Sequence, residues 1–295
     1  MPAHFAAVLH AVTLTDDDAA AAARALEGAG AAVGPFERPA GGDGDGRYAV
    51  LTAEVKLDAG QAPAARAALA GLGIGGALVP AGLREAERKL LIMDVDSTLI
   101  QQEVIELLAD YAGKREEVTA VTEAAMRGEL DFAQSLHARV ATLAGLPEDV
   151  IAKVRDAVVL SLGAEDLIEA FHAGGHLVCV VSGGFEQILT PLAERLGLDH
   201  WRANELEVAD GKLTGRVLGE VVDRAVKERM LREWAAQHGI ALEHCIAVGD
   251  GANDLDMLAA AGLGVAFNAK PKVRAEADAA VDLPYLDVVR HLAGV

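Results

Sequence analysis

A chain of 295 residues with 45 acids against 26 lysines and arginines carries a formal net charge of −19, and no Lys/Arg-rich run offsets it. A surface of that sign excludes nucleic acid and anionic membrane as partners, while 52% hydrophobic residues over this length supply core enough for two domains. No apolar run approaches the ~20 residues that span a bilayer, and the N-terminus lacks the basic and apolar regions of a signal peptide, so a cytoplasmic protein is expected. The two cysteines, Cys179 and Cys245, lie inside apolar runs and read as buried free thiols. The nine histidines form no H-x-H or H-E-x-x-H spacing, which gives no basis for zinc.

Residues 1–83 read as one unit. Phe5–Leu14 is an expected strand, Asp16–Ala29 an Ala-rich helix, and Ala32–Arg38 and Arg47–Leu57 two further strands. Gln61–Leu72 follows as a second helix and Gly75–Val79 as a short last strand. This β-α-β-β-α-β order predicts a ferredoxin-like α+β layer. The tract Gly41–Gly46 alternates Gly and Asp but lacks the twelve-residue ligand spacing of an EF-hand, so it reads as a flexible hairpin loop. In topology the unit resembles ACT-type amino-acid-sensing domains, which implies a regulatory role with an amino-acid effector.

Residues 84–295 begin a second unit with Leu90–Leu99, an apolar run broken by Asp94 and Asp96. Continuous apolar runs mark buried parallel strands, and open α/β sheets place active sites beyond the carboxyl ends of such strands. Two carboxylates this close repel unless a cation sits between them or one holds a proton. Taken alone, Asp96 or Ser97 could equally be a helix N-cap. From about 103 to 162 the pattern turns helical, with Val104, Leu107, Leu108 and Tyr111, then Phe132, Leu136, Val140 and Leu143, at spacings of three and four. An all-helical insert after the first strand predicts a cap whose closure excludes water, with Met126 and Phe132 lining it or filling its core.

Leu177–Gly184 is a second apolar run, ending in Ser182-Gly183-Gly184, where a hydroxyl and bare backbone N–H groups can approach an anion. The helix after it, Phe185–Arg195, directs its positive end to the same place. The same triplet also suits a plain tight turn. Trp201–Val222 alternates around Asp210-Gly211 as a β-hairpin. Lys227, in the helix Arg224–Gln237, would pass for a solvated charge but for its position between the motifs. Cys245–Val248 is a third strand, ending in Gly249-Asp250-Gly251 and then Asn253-Asp254, an oxygen-ligand set suited to a hard cation. Leu263–Phe267 adds a further strand.

In order and spacing, D-V-D-S-T, S-G-G, Lys227 and G-D-G-A-N-D resemble the four signature motifs of the haloacid dehalogenase superfamily. Glu103, Ala125–Gly128, Asp131–Leu136, Ala138–Val140, Arg202–Asn204 and Asp210–Gly215 extend the resemblance to its phosphoserine phosphatase family. The resemblance implies a Rossmann-like parallel-sheet core with a helical cap, and Mg²⁺-dependent hydrolysis of phosphoserine through an aspartyl-phosphate. It implies Asp94 as nucleophile and Asp96 as general acid and base, with metal ligation by Asp94, the Asp96 carbonyl and Asp250. Ser182, Gly183 and Lys227 would grip the phosphoryl oxygens of the substrate, and Asn253 and Asp254 would orient ligands around the metal and Lys227. Glu103 would pair with the substrate ammonium and Arg139 with its carboxylate, although a first-turn acid and a solvated helix arginine are the plain readings. A phosphotransferase acting on an alcohol such as homoserine, and a non-catalytic amino-acid sensor, are the alternative functions. Edge-strand pairing would make the protein a homodimer.

Overall fold

The computed structural model describes residues 2–39, 46–126 and 131–295. β1 (Pro2–Ala11), α1 (Asp16–Gly28), β2 (Ala32–Val33), β3 (Ala49–Asp58), α2 (Ala62–Ala70) and β4 (Gly75–Pro80) build a four-stranded antiparallel sheet ordered β2-β3-β1-β4. This is the ferredoxin-like arrangement expected from the sequence. A capping box opens α1: the Asp18 backbone N–H donates to Thr15 Oγ1 and the Thr15 N–H to the Asp18 carboxylate, satisfying two donors that no helical turn can reach. The strand expected over Ala32–Arg38 shrinks to two residues. The Gly34 N–H still donates to the Glu54 carbonyl of β3, but Pro35 has no N–H to give a ladder, and beyond it the chain meets β3 at the Glu37–Thr52 bridge. The Gly-Asp tract Gly41–Gly46 lies, but for Gly46, outside the described residues.

α3 (Ala81–Glu85) leads into β5 (Leu90–Met93), all four residues of which are buried. The cap then follows as α4 (Val104–Ala112), α5 (Arg115–Met126), α6 (Phe132–Ala141) and α7 (Val150–Ala157). Its helices stop earlier than expected. Residues 158–162 run extended, bridging back to Ile100, because Val158, Val159 and Leu160 suit a strand better than a helix. Beyond the cap come α8 (Ala164–Ala173), β6 (Leu177–Phe185), α9 (Glu186–Leu196), β7 (His200–Ala209), β8 (Lys212–Leu218) and α10 (Arg224–Gln237). β9 (Cys245–Gly249), α11 (Leu255–Ala260), β10 (Leu263–Phe267), α12 (Pro271–Glu276), β11 (Ala279–Val281) and α13 (Val288–Ala293) complete the chain. The seven strands order β11-β10-β9-β5-β6-β7-β8, parallel except for the β7–β8 hairpin. β5 is thus central, with β6 and β9 beside it, and all three strand ends that carry the motifs open on one edge.

Apolar side chains cover both faces of this sheet. On one face Trp234, Leu231 and Met257 pack over Cys179 and Cys245, both of them free thiols whose pKa burial pushes up. On the other, Val8, Tyr48, Val50, Val79 and Leu83 join the core formed by Leu91, Phe171 and Leu292. The N-terminal sheet is therefore welded to the catalytic sheet by shared hydrophobic contact. An Arg66–Asp278 ion pair and the Arg84 guanidinium, which donates to the His291 and Leu292 carbonyls, add polar seams.

His10 of β1 is buried at this junction, and among the described residues neither ring nitrogen has a well-formed hydrogen bond. Its register partner on β4 is Gly75, where a Cβ would lie 2.0 Å from the ring; only glycine leaves room. Burial pushes the His10 pKa down to about 4, with the Ala280 backbone offsetting little of it. The neutral form is favoured in the folded state, so the unfolded chain binds the extra proton between about pH 6.5 and 4 and folding stability falls as pH drops through that window. Replacing His10 by Leu should flatten the pH dependence by an amount on the order of 3 kcal/mol. Urea unfolding of both proteins at pH 7.5 and 4.5 measures it. Equal slopes would mean that His10 is protonated in place.

Candidate active site

The C-terminal end of β5 delivers Asp94. Its backbone N–H donates to the Val248 carbonyl at 2.9 Å, carrying the β5–β9 pairing one residue past the strand. The carboxylate oxygen Oδ1 accepts from the Val95 N–H at 2.6 Å and lies 2.8 Å from Lys227 Nζ. Lys227 is wholly buried and reaches Asp254 Oδ1 at 2.7 Å. α10 is set in place by the Asp223 carboxylate, which caps its first turn by accepting from the Val226 N–H at 3.0 Å. Asp254 is fixed in turn, because its Oδ2 accepts the Gly251 N–H at 2.9 Å.

The electrostatics follow from this packing. Burial raises the Asp94 pKa well above its ordinary value, Asp254 pushes the same way, and the Lys227 ammonium opposes both. Burial also works to lower the Lys227 pKa, but the Asp254 and Asp94 carboxylates override it and keep the ammonium charged. Asp250, at the end of β9, is raised to about 6 by burial and by its acidic neighbours Asp254 and Glu103. Asp96 is raised to about 8, by burial first and then by Glu103. Its Oδ2 accepts the Val104 N–H at 3.2 Å, and its buried Oδ1 has no partner among the described residues. Burial and the neighbouring Glu103 charge thus favour the protonated carboxyl, the form that can donate a proton.

Between Asp96 and the cap the backbone turns through Ser97, whose φ of +58° is in the left-handed region. That turn lets Ser97 Oγ donate to Glu103 Oε1 at 2.8 Å, steering Glu103 from the start of α4 toward the strand ends. On the neighbouring strand, Ser182 is buried and its Oγ accepts the Gly184 N–H at 2.8 Å, so this hydroxyl shapes its own loop.

A cavity of about 290 Å³ opens over these strand ends. Asp94, Asp96 and Asp250 form its floor, with Gly183, Gly184 and Asn253 beside them. From the cap come Glu103, Phe132 and Arg139. Arg139, on α6, is half-buried; burial works to lower its pKa, while Glu103, Asp96 and Glu106 favour its charge. Ser182, Lys227 and Asp254 are buried and are not among the lining residues. Met126 ends α5, and its side chain lies outside the described residues.

Four contributors have no expected role in the sequence. Lys270 lines the cavity, and its N–H donates to the Asp250 carbonyl at 3.3 Å. Pro271 at the first turn of α12 marks only where a helix starts, so the sequence carries no signal for the lysine before it. Asn204 donates from Nδ2 to the Gly183 carbonyl at 2.9 Å and accepts the Val222 N–H at 2.8 Å, tying the glycine loop to the approach of α10. Thr122 and Glu106 line the cap side.

Carboxylate oxygens of Asp94, Asp250 and Asp254 lie within 4.8 Å of one another. Lys227 and the Gly251 N–H occupy the two Asp254 oxygens, which leaves Asp94 and Asp250 to face a cation. Buried hard oxygen donors, raised in pKa by burial first and then by neighbouring acids, fit a divalent ion that prefers oxygen ligands.

The family of haloacid dehalogenase-like hydrolases matches residues 91–259. A phosphoserine phosphatase of Streptomyces coelicolor is 56% identical over 253 residues, covering 84% of this chain and 62% of that protein. The chain thus spans less than two thirds of that relative's length. A phosphoserine phosphatase of Streptococcus thermophilus is 51% identical over 197 residues, 67% of this chain and 92% of that protein. Among solved structures, a phospho-aspartyl intermediate analogue of phosphoserine phosphatase superposes with a TM-score of 0.67 and 43% identity, over 70% of this chain and 99% of the other. These matches run across the same strand ends that bring Asp94, Lys227 and Asp250 together, and the chain belongs to the haloacid dehalogenase-like hydrolase family.

Proposed function

We propose that the protein hydrolyses O-phospho-L-serine to L-serine and phosphate, the last step of serine biosynthesis, using Mg²⁺ and an aspartyl-phosphate intermediate. One observation carries this reading: Glu103 and Arg139 line the same cavity as Asp94 and Asp250. An acid and a base above a phosphoryl site match the ammonium and carboxylate of a phosphorylated amino acid. The names of the relatives, and the phospho-aspartyl analogue of one of them, support it.

Mg²⁺, held by Asp94, Asp250 and the Asp96 carbonyl, would supply positive charge against the phosphoryl oxygens in this acidic site. Asp94 attacks phosphorus in line as the bond to the serine oxygen breaks, and Asp96 gives its proton to that oxygen. A water molecule then attacks the aspartyl-phosphate, Asp96 takes its proton, and phosphate leaves as the Asp94 carboxylate is restored. Lys227, Ser182 and Gly183 hold the phosphoryl group, and Asn253 and Asp254 orient ligands around the metal and Lys227. Phe132 walls the site. Residues 1–83 serve as a regulatory domain for an amino-acid effector and residues 84–295 as the phosphatase. The protein works as a cytoplasmic homodimer.

Phosphate release across phosphorylated amino acids and sugars tests the assignment, with homoserine added as a competing acceptor. Release from phosphoserine that is unaffected by acceptor supports the hydrolase. Transfer to the alcohol would make it a phosphotransferase, and no turnover at all would leave an amino-acid sensor. Arg139→Ala sharpens the test, because it unpairs one substrate charge inside a closed site. Its efficiency on phosphoserine should fall about 100-fold or more, while an aryl phosphate with no carboxylate should be used almost as well as before. Equal losses on both would make Arg139 structural.

A further inference from the structure

The cap is joined to the catalytic sheet by two antiparallel stretches, residues 99–102 going out and 158–162 coming back. The Gln101 N–H donates to the Val159 carbonyl and the Ser161 N–H to the Leu99 carbonyl, each at 2.9 Å. Ser161 Oγ donates to the Thr98 carbonyl at 2.6 Å, and Gln101 Nε2 to the Leu160 carbonyl at 2.8 Å. The Thr98 carbonyl belongs to the turn that carries Asp94 and Asp96. This pair of stretches is therefore both the hinge of the cap and a support of the catalytic turn.

The base of the hinge is held from outside. The Leu162 carbonyl accepts the Leu286 N–H at 2.8 Å. The next residue, Asp287, has a wholly buried side chain, whose Oδ2 accepts the Tyr48 hydroxyl at 2.8 Å and the Arg47 guanidinium at 3.0 Å. Asp287 also lies against Gly163, the first residue after the hinge. A Cβ there would meet Oδ1 at 1.9 Å, and its φ of +76° favours glycine in any case. Arg47 reaches across to Asp166 on α8 at 2.9 Å. The turn just before β3 thus grips both sides of the hinge base, although it lies about forty residues ahead of the first catalytic strand.

We propose that Tyr48 and Asp287 are positioning residues for the cap: their hydrogen bond fixes the hinge base, and through it the approach of Glu103 and Arg139 to the strand ends. This gives the N-terminal unit a mechanical hold on cap closure. The hinge role itself is independent of the substrate assignment; only the kinetic readout below rests on the phosphoserine reading.

Tyr48→Phe in the full chain tests the proposal, since the buried ring stays and only the hydroxyl goes. Amide hydrogen exchange of peptides covering 99–102 and 158–162 should speed up by about tenfold, the effect of losing one hydrogen bond to a charged group, while peptides from β5 and β9 exchange as before. KM for phosphoserine should rise severalfold, with kcat on an aryl phosphate unchanged. Asp287→Asn, which weakens both the tyrosine and the arginine contacts, should give the same pattern. Unchanged exchange in the hinge peptides of both variants, or a lower melting temperature with exchange raised evenly over the whole chain, would overturn the proposal. If the wild type turns over no phosphoserine, the functional reading fails, and the exchange data still decide the hinge.

Discussion

Asp94→Asn should abolish turnover, by about 10⁴-fold or more, as losses of a covalent nucleophile do. The amide keeps the shape of the carboxylate and can still accept from the Val95 N–H and from Lys227. It cannot attack phosphorus, and it takes one of the two cation-facing carboxylates out of the cluster. The fold should survive, because Lys227 keeps Asp254 at 2.7 Å and the substitution removes a buried charge that Asp254 was repelling. Incubation with labelled substrate followed by denaturation should leave the variant unlabelled. Asp96→Asn is the informative comparison: it should bind substrate but lose only the ~10²–10⁴-fold that proton transfer contributes, if its carboxyl serves as the proposed acid and not as the nucleophile. Turnover by Asp94→Asn near the wild-type rate would discard the covalent mechanism.

Lys227→Met should damage both stability and activity. The ammonium is the buried counter-charge for two carboxylates, 2.8 Å from Asp94 and 2.7 Å from Asp254. Methionine fills similar space but leaves both acids unpaired, at a cost of about 3–5 kcal/mol. Activity should fall about 10²–10³-fold or more through loss of phosphoryl stabilisation. Without the ammonium, the Asp94 carboxyl, already raised by burial, loses the charge that opposed that rise and favours protonation further in the folded state. The stability deficit is then greatest above that raised pKa and shrinks as pH falls toward 5. Urea midpoints at two pH values give the sign. A midpoint matching the wild type at neutral pH would mean that the acids find other partners or stay protonated.

Much of the catalytic sheet was legible because parallel strands buried on both faces must be apolar throughout. Leu90–Met93, Leu177–Val181 and Cys245–Val248 are such runs, and each ends in the polar residues that chemistry needs. The helix Arg224–Gln237 and the strand Leu263–Phe267 lie where the sequence puts them. The failures have physical reasons too. β11 is three residues, Ala279–Val281, too short for any periodicity, and it exists because β10 offers it a ladder. The return stretch 158–162 pairs with residues about sixty positions earlier, and its two adjacent valines are too short a run to announce a strand by themselves. Lys270 enters the cavity through a loop, and Asn204 works through a backbone carbonyl; neither leaves a pattern along the chain. Tyr48 and Asp287 are 239 positions apart, and no local signal can pair them.

The shared core of the two sheets also governs how the chain can fold. Val8, Tyr48 and Val79 find their apolar neighbours among Leu286, Val289 and Leu292, and Arg66 and Arg84 find their acceptors at Asp278, His291 and Leu292. β5 likewise waits for β9, which arrives some 150 residues later. During synthesis the ferredoxin-like layer must therefore persist with one face uncovered until the segment from 278 to 293 has left the ribosome. Such long sequence separations slow folding and prolong the exposure of apolar surface. The alternation along β3, with Glu54, Lys56 and Asp58 exposed between buried neighbours, keeps part of that waiting sheet polar.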